Sequence, residues 1–475
     1  MEATAVLWPA VRLRQAYLTH LTSTIKRTVS TIKMIQTTTP KKCSIAIVGG
    51  GITGAAAAQI LSKQQDINVH LFDQGQRGVG GRSSHRNHTN MRWDHGCQFF
   101  RADTQRFKTL VDGLLAKDLV KEWKGNFISS DSCEFDFFGL PSLPPYYVGS
   151  DGMQSVAKGI LDQIGGESDL SLHTGTRVAE LERDEANKKW KLFGASGTAA
   201  FHDTPEKTVQ QLNKRVPLGE LDGFDVVILT DLSSAFAKWH RASAGVPEQF
   251  AARVRERVGS RVPLFTTMIA FDNESGIPFD AATFDNSVIW FAAKNNSKPG
   301  MDEGLNECWT LVSTPEYAMK EIEDTPMQDP KTGDFIPQSQ DYLTSVPGPD
   351  LYNAFCKELL SNNGILGDKK LTCLPELIHM DAQRWGSALP CHRHLDEKSA
   401  TRKVISGVPY DSGRSSLAPT KLDKDENTFL SDEDLMLFQA GDMMSSYSPG
   451  FEGAAISGMD AAERVLEVLD ILQNK

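Results

Sequence analysis

The chain has 475 residues, of which 40% are hydrophobic and 23% charged, the balance of an ordinary globular protein with room for about two or three domains. A formal net charge of -11 leaves no basic face to neutralise a run of phosphates, which argues against broad nucleic-acid binding. No apolar run approaches the roughly 20 residues that a membrane-spanning helix needs, and the 7 cysteines are scattered and never spaced C-x-x-C, so a reducing compartment fits and neither a zinc site nor a disulfide framework is indicated.

Residues Met1 to Lys42 differ in composition from the rest of the chain. Arg12, Arg14, Lys26, Arg27, Lys33, Lys41 and Lys42 face one acid, Glu2, among many Ser and Thr. That is the composition of an organelle transit peptide for a mitochondrion or plastid, without the apolar core of a secretory signal. A basic tail on a cytoplasmic protein is the alternative. Met34 offers a second initiation point, and the mature chain is expected to start between Met34 and Cys43.

Ser44 to Val48 reads as a strand buried on both faces, and Gly49, Gly51 and Gly54 then supply G-x-G-x-x-G. The first glycine permits a sharp turn, the second a close approach of backbone N–H groups to a pyrophosphate, and the third close packing of the next helix on the sheet. Ala55 to Lys63 is that helix, with its positive end aimed at the glycine turn. A second strand, Ile67 to Phe72, ends in Asp73, placed to accept hydrogen bonds from ribose hydroxyls. Strand, glycine turn, helix, strand and acid together indicate dinucleotide binding. Gly78-Val79-Gly80-Gly81-Arg82 comes next, where a nicotinamide dehydrogenase would go straight into another helix; its arginine can return to the pyrophosphate, which favours FAD.

Asp94-His95-Gly96-Cys97-Gln98-Phe99-Phe100 forms a glycine-kinked loop leading to a helix over Thr104 to Lys117. Cys97 is read as a buried small hydrophobe. Phe135 to Tyr147 is an aromatic segment suited to packing, and Met153 opens a helix to about Ile164. Leu170 to Glu182 and Lys188 to Phe193 suggest a hairpin turning at Asp184 to Asn187. Ala199 to Leu221 reads as a surface insertion, and Phe224 to Thr230 as a strand returning to the first sheet. Helices over Asp231 to His240 and Pro247 to Val258 precede three strands of a separate antiparallel sheet, Val262 to Phe271, Ser287 to Lys294 and Cys308 to Ser313. Met327 to Pro349 and Arg402 to Asp434 read as loops. Leu435 to Ala440 is a strand ended by Gly441-Asp442, and Gly450 to Ala455 opens a last helix to about Leu472. A strand-end Asp can hold a polyol hydroxyl, and a helix N-terminus favours negative charge on a reduced flavin.

The fold class that emerges is α/β, a Rossmann-type FAD-binding domain with a mostly parallel sheet and a discontinuous α+β substrate domain on an antiparallel sheet. The expected division assigns 43–100, 150–243 and 430–475 to FAD binding, 101–149 and 244–398 to substrate, and 399–429 to a flexible loop, after the segment 1–42.

With VGGGITG, RGVGGR, DHGCQFF, YVGSDGM, NNSKPG, QRW and the GD and FEGA segments in this order, the chain from Cys43 to Leu472 resembles the renalase-like flavin oxidoreductases, within the wider flavin amine oxidase group. The resemblance implies noncovalent FAD along Gly49, Gly51, Ile52, Thr53, Gly54, Asp73, Gly80, Gly81, Arg82, Gln98, Asp442, Glu452, Gly453 and Ala454, no metal, and an isoalloxazine facing the antiparallel sheet. It also implies a small dihydronicotinamide-like or amine substrate and oxygen as partners, with hydrogen peroxide as product. Gln98 and Asn295 are the substrate-side catalytic candidates. His95 reads as a loop histidine bonded to backbone, with a base as the sharper alternative. Lys298 reads as a solvated hairpin lysine, against a lysine holding water near the flavin N5. Three positions depart from the family pattern: Phe99 for a tyrosine, Val312 for a histidine, and Gln383 for the histidine of HRW. They leave room for two other readings, an FAD-binding redox-sensing or interaction protein without efficient turnover, or an oxidase of amine or carotenoid type.

Overall fold

The apolar runs Cys43–Val48, Ile67–Phe72 and Val226–Leu229 are strands buried on both faces, and they lie side by side in parallel, as such runs do when helices cover both sides of a sheet. In this computed structural model the described residues are 42–473 except 131–135, 138–139, 142–144, 165–169, 198–213, 233–244, 259–260, 302–303, 305, 327–339, 391–427 and 445–449. Outside them fall the transit-peptide segment up to residue 41, the Asp231 to His240 helix from residue 233 on, and most of the expected loop over 399–429. Parts of the Phe135 to Tyr147, Ala199 to Leu221, Met327 to Pro349 and Arg402 to Asp434 readings fall outside as well.

The first sheet has the order Leu170–His173, Ile67–Phe72, Cys43–Val48, Val226–Leu229, Leu437–Gln439, Leu430–Asp432. All its pairs are parallel except the last. The chain leaves Cys43–Val48 toward one neighbour and returns on its other side at Val226–Leu229. This is the topological switch point at which open α/β sheets bind ligands beyond the carboxyl ends of their strands. The mixed α/β architecture with a Rossmann-type sheet is therefore as the sequence indicates.

Helix Ile52–Leu61 packs against the last helix, Phe451–Gln473. Its Ala55, Ala56, Ala57 and Ala58 are buried, and small side chains there allow the two backbones to approach closely. A Cβ added to Gly458 would lie only 2.1 Å from the Thr53 carbonyl oxygen.

Leu170 to Glu182 is not one strand of a hairpin. Leu170–His173 joins the parallel sheet beside Ile67–Phe72, Gly175 turns the chain at φ 60°, and Thr176–Asp184 then pairs with Lys189–Ser196. Asp184 makes the expected turn by accepting from Ala186 N at 3.1 Å and Asn187 N at 3.2 Å. Within the stretch read as an insertion, Val216–Leu218 adds a third strand to that hairpin.

The second sheet runs Leu377–Pro390, Arg261–Phe271, Glu307–Ser313, Ile289–Lys294, Ala281–Thr283, Phe127–Ser129. The three strands expected for it are adjacent and antiparallel. Its 14-residue strand Leu377–Pro390 gives no readable sequence signal, because LIHMDAQRWGSALP lies at the sheet edge and mixes Asp, Gln, Arg and Gly into any alternation. Helices Pro315–Asp324 and Pro347–Leu360 cover the far face, where Ile269, Phe271, Leu311, Leu351 and Phe355 share one core. Part of the Met327 to Pro349 loop is thus helical: Gln340–Ser345 is one helix and Pro347 opens the next, a position where proline's fixed φ suits a first turn. Likewise Leu430–Asp432, expected in a loop, is a strand.

Candidate functional site

The three glycines of the first turn divide their work as their surroundings dictate. Gly49 adopts φ 108°, and a Cβ there would meet Thr230 Oγ1 at 2.2 Å; only glycine fits the turn. At Gly54 a Cβ would sit 2.0 Å from the Gly49 carbonyl oxygen, so this residue seats the helix and does not itself line the cavity. A Cβ at Gly51 would have nothing nearer than Gly80 O at 3.8 Å: that position opens onto free space. The helix begins at Ile52 with no side chain capping its N-terminus, and Ile52 and Thr53 line the cavity. Uncapped N–H groups at the positive end of a helix, beside a position without a side chain, form an anion cradle.

The cavity that starts there has a volume of about 620 Å³, within the range of small-molecule and cofactor sites. At one end stands Asp73, whose carboxylate accepts from Gly50 N and Gly75 N, each at 2.7 Å. Burial raises its pKa, and the two backbone hydrogen bonds oppose that rise. Beside it the strand starting at Thr176 contributes Thr176, Arg177 and Val178, and the chain after Val226–Leu229 contributes Thr230 and Asp231. These residues carry no mark in the sequence because only the sheet order brings them to the switch point.

In the middle, Gly80 and Gly81 take φ 148° and 55° and hand the chain to Arg82. The sequence suggests separate partners for Arg82 and Asp442. In the structure they hold each other: Arg82 Nη1 donates to Asp442 Oδ2 at 2.9 Å and Nη2 to Oδ1, while Nη1 also reaches the Ala388 carbonyl at 3.1 Å. One fork thus ties together the glycine turn, the end of the last parallel strand and the edge strand of the antiparallel sheet. Glu452 lines the cavity, but its oxygens accept from Asp103 N and Thr104 N, both at 2.8 Å, so it holds the start of helix Gln105–Leu115. Ala454 lines the cavity and Gly453 does not.

The far end is one face of the antiparallel sheet. Gln383, Thr266, Val312 and Phe291 are register partners in one row across it, and Trp385 pairs with Leu264 in the next. Alternation along each strand puts Leu264 and Thr266 on the cavity side. Phe99 closes the wall, packed edge-on to Tyr146 at 4.9 Å between ring centroids. Phe99, Val312 and Gln383, far apart in sequence, therefore line the same cavity as the glycine turn. Gln383 is held by Arg86 Nη2 at 3.1 Å.

The loop between these ends is fastened from both sides. Trp385 Nε1 donates to the His95 carbonyl at 3.0 Å, and Cys97 N donates to Arg82 O at 2.8 Å. His95 lines the cavity, and its Nδ1 lies 2.8 Å from the Ser84 carbonyl, which fixes the proton on that nitrogen. Burial first, and the nearby Arg86 charge second, lower its pKa from 6.5 to about 4. The backbone-bonded reading is the one this geometry supports. Burial pushes the Cys97 thiol up to about 12, so it is an unreactive small hydrophobe at neutral pH.

Two candidates behave otherwise than the sequence suggests. Asn295 does not line the cavity; its Oδ1 accepts from Asp94 N at 3.0 Å and its Nδ2 donates to Thr310 Oγ1 at 2.9 Å, so its amide is spent on holding the loop. Lys298 is not solvated: its side chain is 0% exposed and pairs with an equally buried Asp94 at 3.0 Å. Gln98 does line the cavity, with its Nε2 bonded to Asp94 O at 2.6 Å and Gly96 O at 3.0 Å.

The lowered pKa of His95 has a consequence for acid stability. Below pH 6.5 the unfolded chain takes up a proton there that the folded chain refuses until about pH 4, so stability present at neutral pH is lost as pH falls through this window, on the order of 3 kcal/mol from this residue. Denaturant unfolding at pH 7 and pH 4.5 is expected to show a smaller acid loss for His95→Gln than for the parent. Equal losses would place the His95 ring in water instead.

Residues 47–114 match the family model of the NAD(P)-binding Rossmann-like domain. Among solved structures, the chain is similar to a provisionally named protoporphyrinogen oxidase from Exiguobacterium sp. 255-15, at TM-score 0.51 and 11% identity over 90% of this chain and 99% of that one. Reduced UDP-galactopyranose mutase matches at TM-score 0.52 and 11% identity, over 91% and 96% of the two chains. An oxidoreductase from Methanosarcina mazei matches at TM-score 0.50 and 11% identity, over 88% and 100%. At such identity the likeness is one of fold.

Proposed function

We propose that the chain is an FAD-dependent oxidoreductase, and more narrowly an oxidase of the renalase-like kind. The observation that carries this is the single cavity running from the Gly51 cradle and Asp73, past Arg82 and Asp442, to the face of the antiparallel sheet that carries Leu264, Thr266, Val312 and Gln383. The residues fit the cofactor on grounds of this structure: the open position at Gly51 and the bare helix N-terminus suit a diphosphate, Asp73 suits a ribose, and the sheet face suits a flat ring. The family model for the first segment and the fold shared with proteins named as oxidase and oxidoreductase support the same reading.

FAD would supply the ring that takes a hydride at N5 from a dihydronicotinamide-like or amine donor and passes the electron pair to oxygen, giving hydrogen peroxide. The chain's own contribution is placement. Leu264, Val312 and Trp385 line one wall, with Phe99 on the same cavity, against which a donor ring or chain can be held in line. Along the chain we propose the domain division given by the sequence, with the parallel sheet carrying the cofactor and the antiparallel sheet the donor.

Anaerobic mixing of the FAD-loaded protein with dihydronicotinamides and amines tests the reading. The visible flavin band is expected to bleach with at least one donor and to return, with peroxide, when air is admitted. If no donor bleaches the band, the oxidase reading fails. An FAD-binding protein without efficient turnover then takes its place, a reading favoured by the cavity positions of Phe99, Val312 and Gln383.

A further inference from the structure

Behind the cavity wall sits a charge that never reaches the cavity. Lys298 comes directly after the short turn Asn295–Ser297, and its ammonium meets Asp94 Oδ2 at 3.0 Å, Gln98 Oε1 at 3.1 Å and Asn295 Oδ1 at 3.5 Å. Those three acceptors satisfy the three donors of an ammonium. The ring of Trp123 lies 5.4 Å away on another side. Asp94 is anchored in turn, since its Oδ1 accepts from Met153 N at 2.8 Å at the start of helix Gln154–Asp162.

The consequence falls on Gln98. An amide rotated by half a turn would point its NH2 at the ammonium, so the buried charge dictates which way the side chain faces. With Oε1 turned to Lys298, Nε2 must point to the Asp94 and Gly96 carbonyls, which it does. Gly96 is packed against its neighbours and has no room for a side chain: a Cβ there would collide with Arg82 O at 2.0 Å and touch Trp385 at 3.3 Å. Gly96, Cys97 and Gln98 are all cavity wall.

The geometry points to Lys298 as a positioning residue: a buried cation that, paired with Asp94, locks the Gln98 amide and with it the 96–98 backbone facing the bound ring. Its effect on cofactor rests on the flavin reading above, whereas its effect on the loop does not. A buried pair kept for orientation is costly to break one partner at a time, because the other charge is then stranded. The informative variant therefore removes both charges, D94N/K298M, and Gln98→Met serves as a second route that keeps the ion pair and removes only the amide it orients.

Two measurements separate the effect on the loop from the effect on the cofactor. In the ligand-free chain, hydrogen exchange of the 96–98 amides is expected to quicken about tenfold in either variant while the sheet cores keep parental protection. In the FAD-loaded protein, the visible bands are expected to shift and FAD affinity to fall about tenfold, a loss of about 1.4 kcal/mol. Parental exchange at 96–98 in a folded variant of either kind overturns the proposal, as does a uniform rise in exchange across the molecule, which marks a merely structural pair. If the parent takes up no FAD, the function proposed above fails, and the exchange measurement still decides the role of Lys298.

Discussion

Gly51→Ala is expected to give a folded protein that has lost its cofactor. The residue caps helix Ile52–Leu61 with φ -72°, a conformation alanine adopts freely, and an added Cβ meets only Gly80 O, at an ordinary 3.8 Å. Nothing in the unliganded chain resists the substitution, so the thermal midpoint should stay near that of the parent. The methyl group instead occupies the space through which a diphosphate approaches the bare helix N-terminus. A phosphate kept at arm's length from those N–H groups loses several charge-assisted hydrogen bonds, each worth about 1.5–3 kcal/mol, so FAD affinity should drop by more than about 100-fold. Equilibrium titration of the ligand-free variant checks this, and a variant that stays folded and binds FAD as tightly as the parent would place the diphosphate elsewhere.

The same change at Gly54 or Gly458 should do the reverse. Gly54→Ala puts a Cβ 2.0 Å from Gly49 O, and Gly458→Ala puts one 2.1 Å from Thr53 O; both obstacles are backbone, which cannot swing aside. In a helix interior the change from glycine to alanine favours the helix by about 0.5–1 kcal/mol, but overpacking of this severity costs more than about 3 kcal/mol. The clash wins, and both variants should be recovered poorly or melt well below the parent. Gly113 is the control. It lies in helix Gln105–Leu115 with nothing within 4 Å of an added Cβ, so Gly113→Ala should stabilise by the propensity gain alone. Thermal denaturation of the three variants gives the ordering, and a Gly54→Ala protein as stable as the Gly113→Ala protein would mean that the glycine turn is not built as described.

The glycine fingerprint, the buried strands and Asp73 are legible in the sequence because turn chemistry and hydrophobic runs are local. Leu377–Pro390 is not, since an edge strand with one half-exposed face carries no clean period. Lys298 misleads for a different reason: a lysine after Asn-Asn-Ser reads as a solvated turn, and only the fold reveals that Asp94, about 200 positions earlier (|i−j| 204), waits for it. Arg82 and Asp442 each stand out in their own segments, but their partnership across |i−j| 360 cannot be read from either neighbourhood. The row Gln383, Thr266, Val312 likewise exists only in the register of three strands.

FAD occupancy of the cavity between the two sheets is what every proposal above depends on, the loop role of Lys298 excepted. Its most direct measurement is the flavin content of the purified full chain, combined with acid or denaturant release and an intact mass of the polypeptide. One equivalent of FAD set free, from a polypeptide of unmodified mass, with Gly51→Ala retaining none through purification and binding added FAD more than about 100-fold more weakly, is the predicted result. A parent chain that carries no flavin and takes up none on titration, or one that binds NAD in its place, would contradict it.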